Sequence, residues 1–209
     1  MAFFNFSIRE LHCKIVYLGP GRCGKTTNLQ YIYSRIPPPV KGKLISIDAK
    51  GDKTVFFDFL PLDLGKVGGL RIRVLLYTVP GETSYGAIRK LVLQGVDGIV
   101  FVADSLGLRR KENIQSLQDL TRHLKGMGKP FGTLPLVMQY NKRDLTIEGI
   151  PVLPLEVMER DLNSALKVPS FPASAAAGEG VFETLRAISK LVAGSVSRRV
   201  LHGPEAIAV

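Results

Sequence analysis

Gly19-Pro20-Gly21-Arg22-Cys23-Gly24-Lys25-Thr26 is the stretch on which the reading of this chain turns. It fits the spacing G-x-x-x-x-G-K-[ST], and its surroundings are the ones that spacing needs. Upstream, residues 12–18 form a short apolar run that reads as a buried strand; downstream, residues 25–34 carry apolar side chains at helical intervals. A strand that turns into a helix through glycines leaves several backbone N–H groups facing one concavity, at the positive end of the helix dipole. Such a concavity binds phosphate. In it Lys25 neutralises charge on the β- and γ-phosphates of a nucleotide and Thr26 offers a hydroxyl to magnesium, with Gly19, Gly21, Arg22, Cys23, Gly24 and Thr27 completing the phosphate-binding set.

Outward from this loop, short apolar runs alternate with longer amphipathic segments, as when parallel strands are joined by crossover helices. Strands are predicted over 12–18, 54–60, 70–77, 98–104, 134–141 and 171–174, and helices over 25–34, 84–94, 111–125, 155–166 and 181–196. The fold class is therefore α/β, six predicted strands flanked by helices. At 209 residues the chain reads as one domain over 1–196, with a flexible tail over 197–209 that has few core-forming features. The long polar connection containing Pro37-Pro38-Pro39 is a candidate switch or lid. On the strand predicted to follow it, Phe56 and Leu60 share a face with Asp58, while Val55, Phe57 and Phe59 occupy the other. Two largely apolar faces suit a strand covered on both sides; they also pin its register weakly.

Composition narrows the partners. Lys plus Arg number 28 against 18 Asp plus Glu, a formal charge of +10 that favours acidic partners. The basic residues are dispersed and not interleaved with aromatics, which argues against a nucleic-acid footprint. Two cysteines, Cys13 and Cys23, are too few for a disulfide framework or a metal quartet and suit a reducing, cytoplasmic compartment. The longest apolar run, 99–103, is too short to span a membrane, and neither a cationic leader, a myristoylatable glycine nor a prenylatable cysteine is expected from the ends of the sequence. His12, His123 and His202 share no metal-ligand spacing with the cysteines.

Asn141-Lys142-Arg143-Asp144 follows the fifth predicted strand, at the edge of the sheet where nucleotide pockets of open α/β folds lie. It fits N-K-x-D. The Asp144 carboxylate can accept from guanine N1 and its exocyclic amine, whereas adenine lacks that donor pair and would leave the charge unpaired. Ser174-Ala175 closes the sixth strand, where a backbone amide can approach guanine O6.

With these elements in order, the chain resembles the small Ras-like GTPases. Further stretches narrow the resemblance: Phe56-Phe57-Asp58-Phe59-Leu60-Pro61-Leu62, Tyr77-Thr78-Val79-Pro80-Gly81, Arg89-Lys90-Leu91, Gly95-Val96-Asp97-Gly98, Phe101-Val102-Ala103-Asp104 and Gly180-Val181-Phe182-Glu183-Thr184-Leu185 are similar to the bacterial gliding-motility GTPases, the MglA type. The resemblance implies a Rossmann-like P-loop small GTPase fold with a mixed, mostly parallel six-stranded sheet, GTP and GDP bound with Mg²⁺, and a role in cell polarity and gliding or pilus-based motility. It also implies recruitment to a cell pole, a dimeric roadblock-fold activator, and motility or polarity effectors. Residue by residue, it implies that Thr54 is the switch I threonine, reaching magnesium and γ-phosphate, and Gly81 the switch II glycine whose amide donates to γ-phosphate.

Four positions bear on what kind of GTPase the resemblance implies. Thr78 stands where Ras-like proteins usually place a magnesium-site aspartate, as the motility family also has it; Asp58 on the neighbouring strand either supplies the missing carboxylate through a metal-bound water or is a satisfied structural residue. A sliding second strand is part of the family's picture, and GTP is expected to draw Thr54 and Asp58 toward the metal. Lys53 replaces the family's arginine and Glu82 its glutamine. Lysine lacks the planar fork that bridges phosphate oxygens, and glutamate cannot donate an amide hydrogen to the transition state. Lys25, Lys53 and Glu82 are thus the catalytic candidates of a slow, partner-stimulated GTPase, the alternative being a GTP-loaded, effector-recruiting scaffold with little hydrolysis. An ATP-using phosphotransferase is disfavoured by Asn141 to Asp144.

Overall fold

A computed structural model describes residues 3–5, 9–47, 57–67, 70–80, 86–129 and 131–202. The described strands are β1 (Phe3–Asn5), β2 (Glu10–Leu18), β3 (Ile45–Ile47), β4 (Phe57–Val67), β5 (Leu70–Thr78), β6 (Gly98–Asp104), β7 (Leu136–Asn141) and β8 (Ser170–Pro172). The helices are α1 (Lys25–Arg35), α2 (Gly86–Leu93), α3 (Arg110–Gly126), α4 (Leu155–Leu162) and α5 (Val181–His202). All eight strands join one sheet in the order β3-β4-β5-β2-β6-β7-β8, with β1 paired to β2 beside that path. The pairs β5-β2, β2-β6, β6-β7 and β7-β8 are parallel, and those of β1, β3 and β4 antiparallel.

The expectation of a mixed, mostly parallel α/β sheet holds, with eight strands in place of six. β1 and β3 are three residues each, too short for period-two alternation to register. β1 fits because β6 pairs with β2 only from Ile15 onward, which leaves the edge at Glu10 to His12 open. The strand predicted over 54–60 has its first residues outside the described set, and its observed part runs on through Pro61 to Val67. Pro61, the residue after the predicted end, sits in register opposite Leu75, and the ladder is irregular only between Asp63 and Lys66. β4 and β5 close to Val67 opposite Leu70, with Gly68 and Gly69 between them in sequence, a hairpin spacing that identifies the antiparallel pair. The last helix runs to His202, past the predicted residue 196.

Burial follows the pleat. On β2, Ile15 and Tyr17 face a core shared with α1 and α5, while Val16 and Leu18 face a second core shared with α2, α3 and α4. Every residue of β6 and β7 is buried, as strands covered on both faces require. β4 is asymmetric: Leu60 and Leu62 are buried in the first core, whereas half-buried Phe59 stacks tilted on Tyr77 at 4.8 Å between ring centroids. Helix α1 starts at Lys25 behind left-handed Gly24 and ends at Arg35, where Ile36 turns extended before Pro37. Its Asn28 is fully buried, bonded through Nδ2 to the Gly24 carbonyl and to Gln139 of β7, which in turn bonds Thr184 of α5. That network satisfies every polar side chain it buries and fixes the start of α1 against the sheet.

Candidate functional site

The carboxyl ends of β2, β6 and β7 deliver the phosphate loop, the turn after Asp104 and the Asn141 turn to one edge of the sheet. At Gly19 an added Cβ would lie 2.0 Å from the Val102 carbonyl oxygen, and at Gly24, with φ 98°, 2.1 Å from Asn141 Nδ2. At Gly19 no other residue fits without moving backbone, and at Gly24 a side chain would displace the Asn141 amide and strain a left-handed backbone. Lys25 is buried and curls over the loop, its ammonium donating to the carbonyls of Gly19 (3.1 Å) and Pro20 (2.7 Å). The Cys23 thiol lies 3.6 Å from Lys25 Nζ and is fully buried; burial, outweighing the nearby ammonium, raises its pKa. Arg22 is exposed, with a left-handed φ of 60°.

Thr26 leads to the second cluster. Its hydroxyl donates to Asp58 Oδ2 at 2.6 Å; Thr78 Oγ1 donates to the same oxygen at 2.8 Å, and Ser46 Oγ donates to Oδ1 at 2.7 Å. The Asp58 N–H closes the knot by donating to Thr78 Oγ1 at 2.8 Å. Four elements meet on this one carboxylate, 7% exposed: α1, β3, β4 and β5. In this register β4 needs no slide for Asp58 to reach Thr26. Among the described residues no group of three or more His, Cys, Asp or Glu can hold a metal ion unaided. A threonine hydroxyl with one carboxylate beside a phosphate loop suits Mg²⁺, which keeps several waters and completes its shell with phosphate oxygens.

The third cluster joins the loops. Asn141, 1% exposed, donates through Nδ2 to the Cys23 carbonyl at 2.8 Å and accepts through Oδ1 from the Ala175 N–H at 2.8 Å. One amide thereby holds the phosphate loop, the end of β7 and the segment after β8 together. The Ala175 amide, the expected contact for a base oxygen, is engaged by Asn141. Ser174 is buried and its hydroxyl accepts from the Ala177 N–H at 3.1 Å. Lys142, left-handed at φ 71°, pairs with Asp104 Oδ2 at 2.6 Å, and the Asp104 side chain is 1% exposed. Half-buried Asp144 sits in the 3₁₀ turn Arg143–Thr146, and no described residue donates a hydrogen bond to its carboxylate.

Of the sequence-predicted site residues, Gly19, Gly21, Arg22, Cys23, Gly24, Lys25, Thr26, Thr27, Asp58, Asn141, Lys142, Asp144, Ser174 and Ala175 are gathered at this edge. Lys53, Thr54, Gly81 and Glu82 lie outside the described residues. Sequence reasoning missed Ser46, whose three-residue strand carried no signal. It also missed the roles of Asp104 and Asn113: Asn113 donates to the Asp104 carbonyl and accepts from its N–H, at 2.8 and 2.9 Å. An aspartate ending an otherwise apolar strand was the available clue. Among the described residues no helix is long and apolar enough to cross a membrane.

No protein-family model matches the chain. It is similar to the mutual gliding-motility protein MglA of Myxococcus xanthus (strain DK1622), with 52% identity over 192 residues covering 92% of this chain and 96% of that protein.

Proposed function

Since this chain belongs to the MglA type of gliding-motility GTPases, we propose that it is a guanine-nucleotide switch that cycles between GTP and GDP states and hydrolyses GTP slowly unless a partner assists. The observation that carries the reading is Asn141, whose two hydrogen bonds tie the phosphate loop to the base-side segment, with the Asp144 turn two residues away. The Asp144 carboxylate, accepting no bond from the described residues, is suited to the paired donors of guanine. Backbone amides of the phosphate loop and the Lys25 ammonium hold the phosphates, Lys25 exchanging the Gly19 and Pro20 carbonyls for β- and γ-oxygens.

Bound Mg²⁺ would supply neutralisation of charge between the β- and γ-phosphates. This chain would hold it through the Thr26 hydroxyl, Thr54 and, by way of a water, Asp58. Thr78 takes the place of the usual aspartate and hands its role across the ladder, since its hydroxyl orients the Asp58 carboxylate from β5. For hydrolysis, Glu82 accepts from the attacking water and Lys53 contributes positive charge toward the γ-phosphate, both less effectively than the family's glutamine and arginine. Those two substitutions favour a second reading, a GTP-loaded scaffold that recruits effectors with little turnover.

The chain acts in the cytoplasm, recruited to a cell pole, with a roadblock-type dimer as activator and polarity or motility proteins as effectors. Its +10 charge suits an acidic partner surface. Competition of ATP and GTP for bound fluorescent GDP, followed by single-turnover GTP hydrolysis with and without the roadblock partner, tests the proposal. Guanine-selective displacement and partner-stimulated turnover support the switch; guanine binding with no stimulation supports the scaffold; equal displacement by ATP overturns both.

A further inference from the structure

Arg109 ends the 3₁₀ turn Gly107–Arg109 that follows β6 and precedes α3. Its guanidinium reaches back across 88 residues of sequence, where Nη2 donates to the Gly21 carbonyl in the phosphate loop at 2.8 Å. The other arm is held on its own helix: Nη1 donates to Glu112 Oε1 at 3.1 Å. The planar fork is thus anchored to α3 and aimed at the loop. The peptide it grips leads into the one non-glycine residue of the loop with positive φ, Arg22 at 60°. An L-residue is strained there, and no described residue hydrogen-bonds the Arg22 side chain to hold it.

We propose that Arg109 is the positioning residue of the phosphate loop, and that its bond to the Gly21 carbonyl keeps the Arg22 N–H turned toward a nucleotide's phosphates. The described chain has no cis peptide, so the carbonyl of Gly21 and the N–H of Arg22 point in opposite directions within one plane. Holding the carbonyl toward Arg109 directs the N–H the opposite way. Without the grip, Arg22 relaxes toward negative φ and the plane rotates, which withdraws one donor from the anion site and turns a carbonyl toward it. The inference rests on the guanine-nucleotide reading above and adds to it a residue outside the loop that sets the loop's geometry.

The test is the dissociation rate of fluorescent GDP, in Mg²⁺, from wild type, Arg109→Ala, Arg109→Lys, Arg22→Gly and Arg22→Gly/Arg109→Ala, with circular dichroism to check folding. Loss of a charged donor to a loop carbonyl should speed release from Arg109→Ala by roughly tenfold or more. Arg109→Lys should recover only part of this, because an ammonium cannot span Glu112 and Gly21 as the fork does. Glycine at 22 removes the strain, so the effect of Arg109→Ala should shrink at least severalfold in the Arg22→Gly background. Equal effects in both backgrounds, or full rescue by lysine, would assign Arg109 a charge effect and overturn the positioning role. Release from Arg109→Ala at the wild-type rate would overturn it as well. A wild-type chain that does not retain GDP refutes the guanine-nucleotide reading instead.

Discussion

Replacing Asp58 by asparagine separates the two roles open to this residue, magnesium organiser and structural knot. The carboxylate receives three hydroxyl bonds, from Thr26, Thr78 and Ser46, and no described lysine, arginine or histidine pairs with it. It is a largely dehydrated charge held by neutral donors. Asparagine has nearly the same shape, and its carbonyl oxygen still accepts, while its amide can donate to a hydroxyl oxygen. Each bond to a charged acceptor contributes about 1.5–3 kcal/mol and each neutral one about 1 kcal/mol, so the exchange loses up to a few kcal/mol in hydrogen bonding. Relief from burying an unpaired charge offsets much of this loss. Net stability should stay within about 2 kcal/mol of wild type, a melting shift of about 8 °C at most for a domain of this size.

Magnesium dependence should respond far more. Losing an outer partner that orients a metal ligand typically lowers metal affinity about 10- to 100-fold. The assay is release of fluorescent GDP against free Mg²⁺, with a thermal melt of the same samples. The half-saturating Mg²⁺ concentration of Asp58→Asn should rise by about 10-fold or more. A half-saturation unchanged within measurement error, together with a large drop in melting temperature, would refute the metal role and leave Asp58 as a structural residue.

Changing Asp144 to Asn should cost about 1–3 kcal/mol of guanine discrimination, read as GTP and ATP competing more nearly equally for the fluorescent GDP site; unchanged selectivity would remove Asp144 from base recognition. The double variant Lys53→Arg/Glu82→Gln should raise partner-stimulated turnover by an order of magnitude or more, since finger arginines contribute about 10³ to 10⁵ in related reactions. Single-turnover rates no higher than wild type would show that these two positions do not limit hydrolysis. Both thiols are buried, and burial raises the Cys23 pKa, so at pH 8 that group stays protonated and neither cysteine should alkylate quickly with iodoacetamide in the folded protein; rapid labelling, quantified by mass spectrometry, would contradict the buried phosphate-loop thiol.

Much of the candidate site was legible in the chain because its signals are local. The glycines, Lys25 and Thr26 act within one strand-to-helix turn, and Asn141 to Asp144 within one turn after a strand, so covalent spacing alone sets their order and chemistry. The helices showed themselves through periodicity for the same reason. Tertiary structure decided what depends on register and on approach across the sheet. Whether Asp58 could reach Thr26, 32 residues away, depended on the antiparallel pairing of β4 with β5, which runs on past the predicted end of the strand at residue 60. Asn141 meets Cys23 over 118 residues and Arg109 meets Gly21 over 88, through contacts that no sequence spacing encodes. Sequence names the groups that can bind a phosphate or a base; which of them share one carboxylate or one amide follows from strand order, because a shift of one residue in register turns each side chain to the other face.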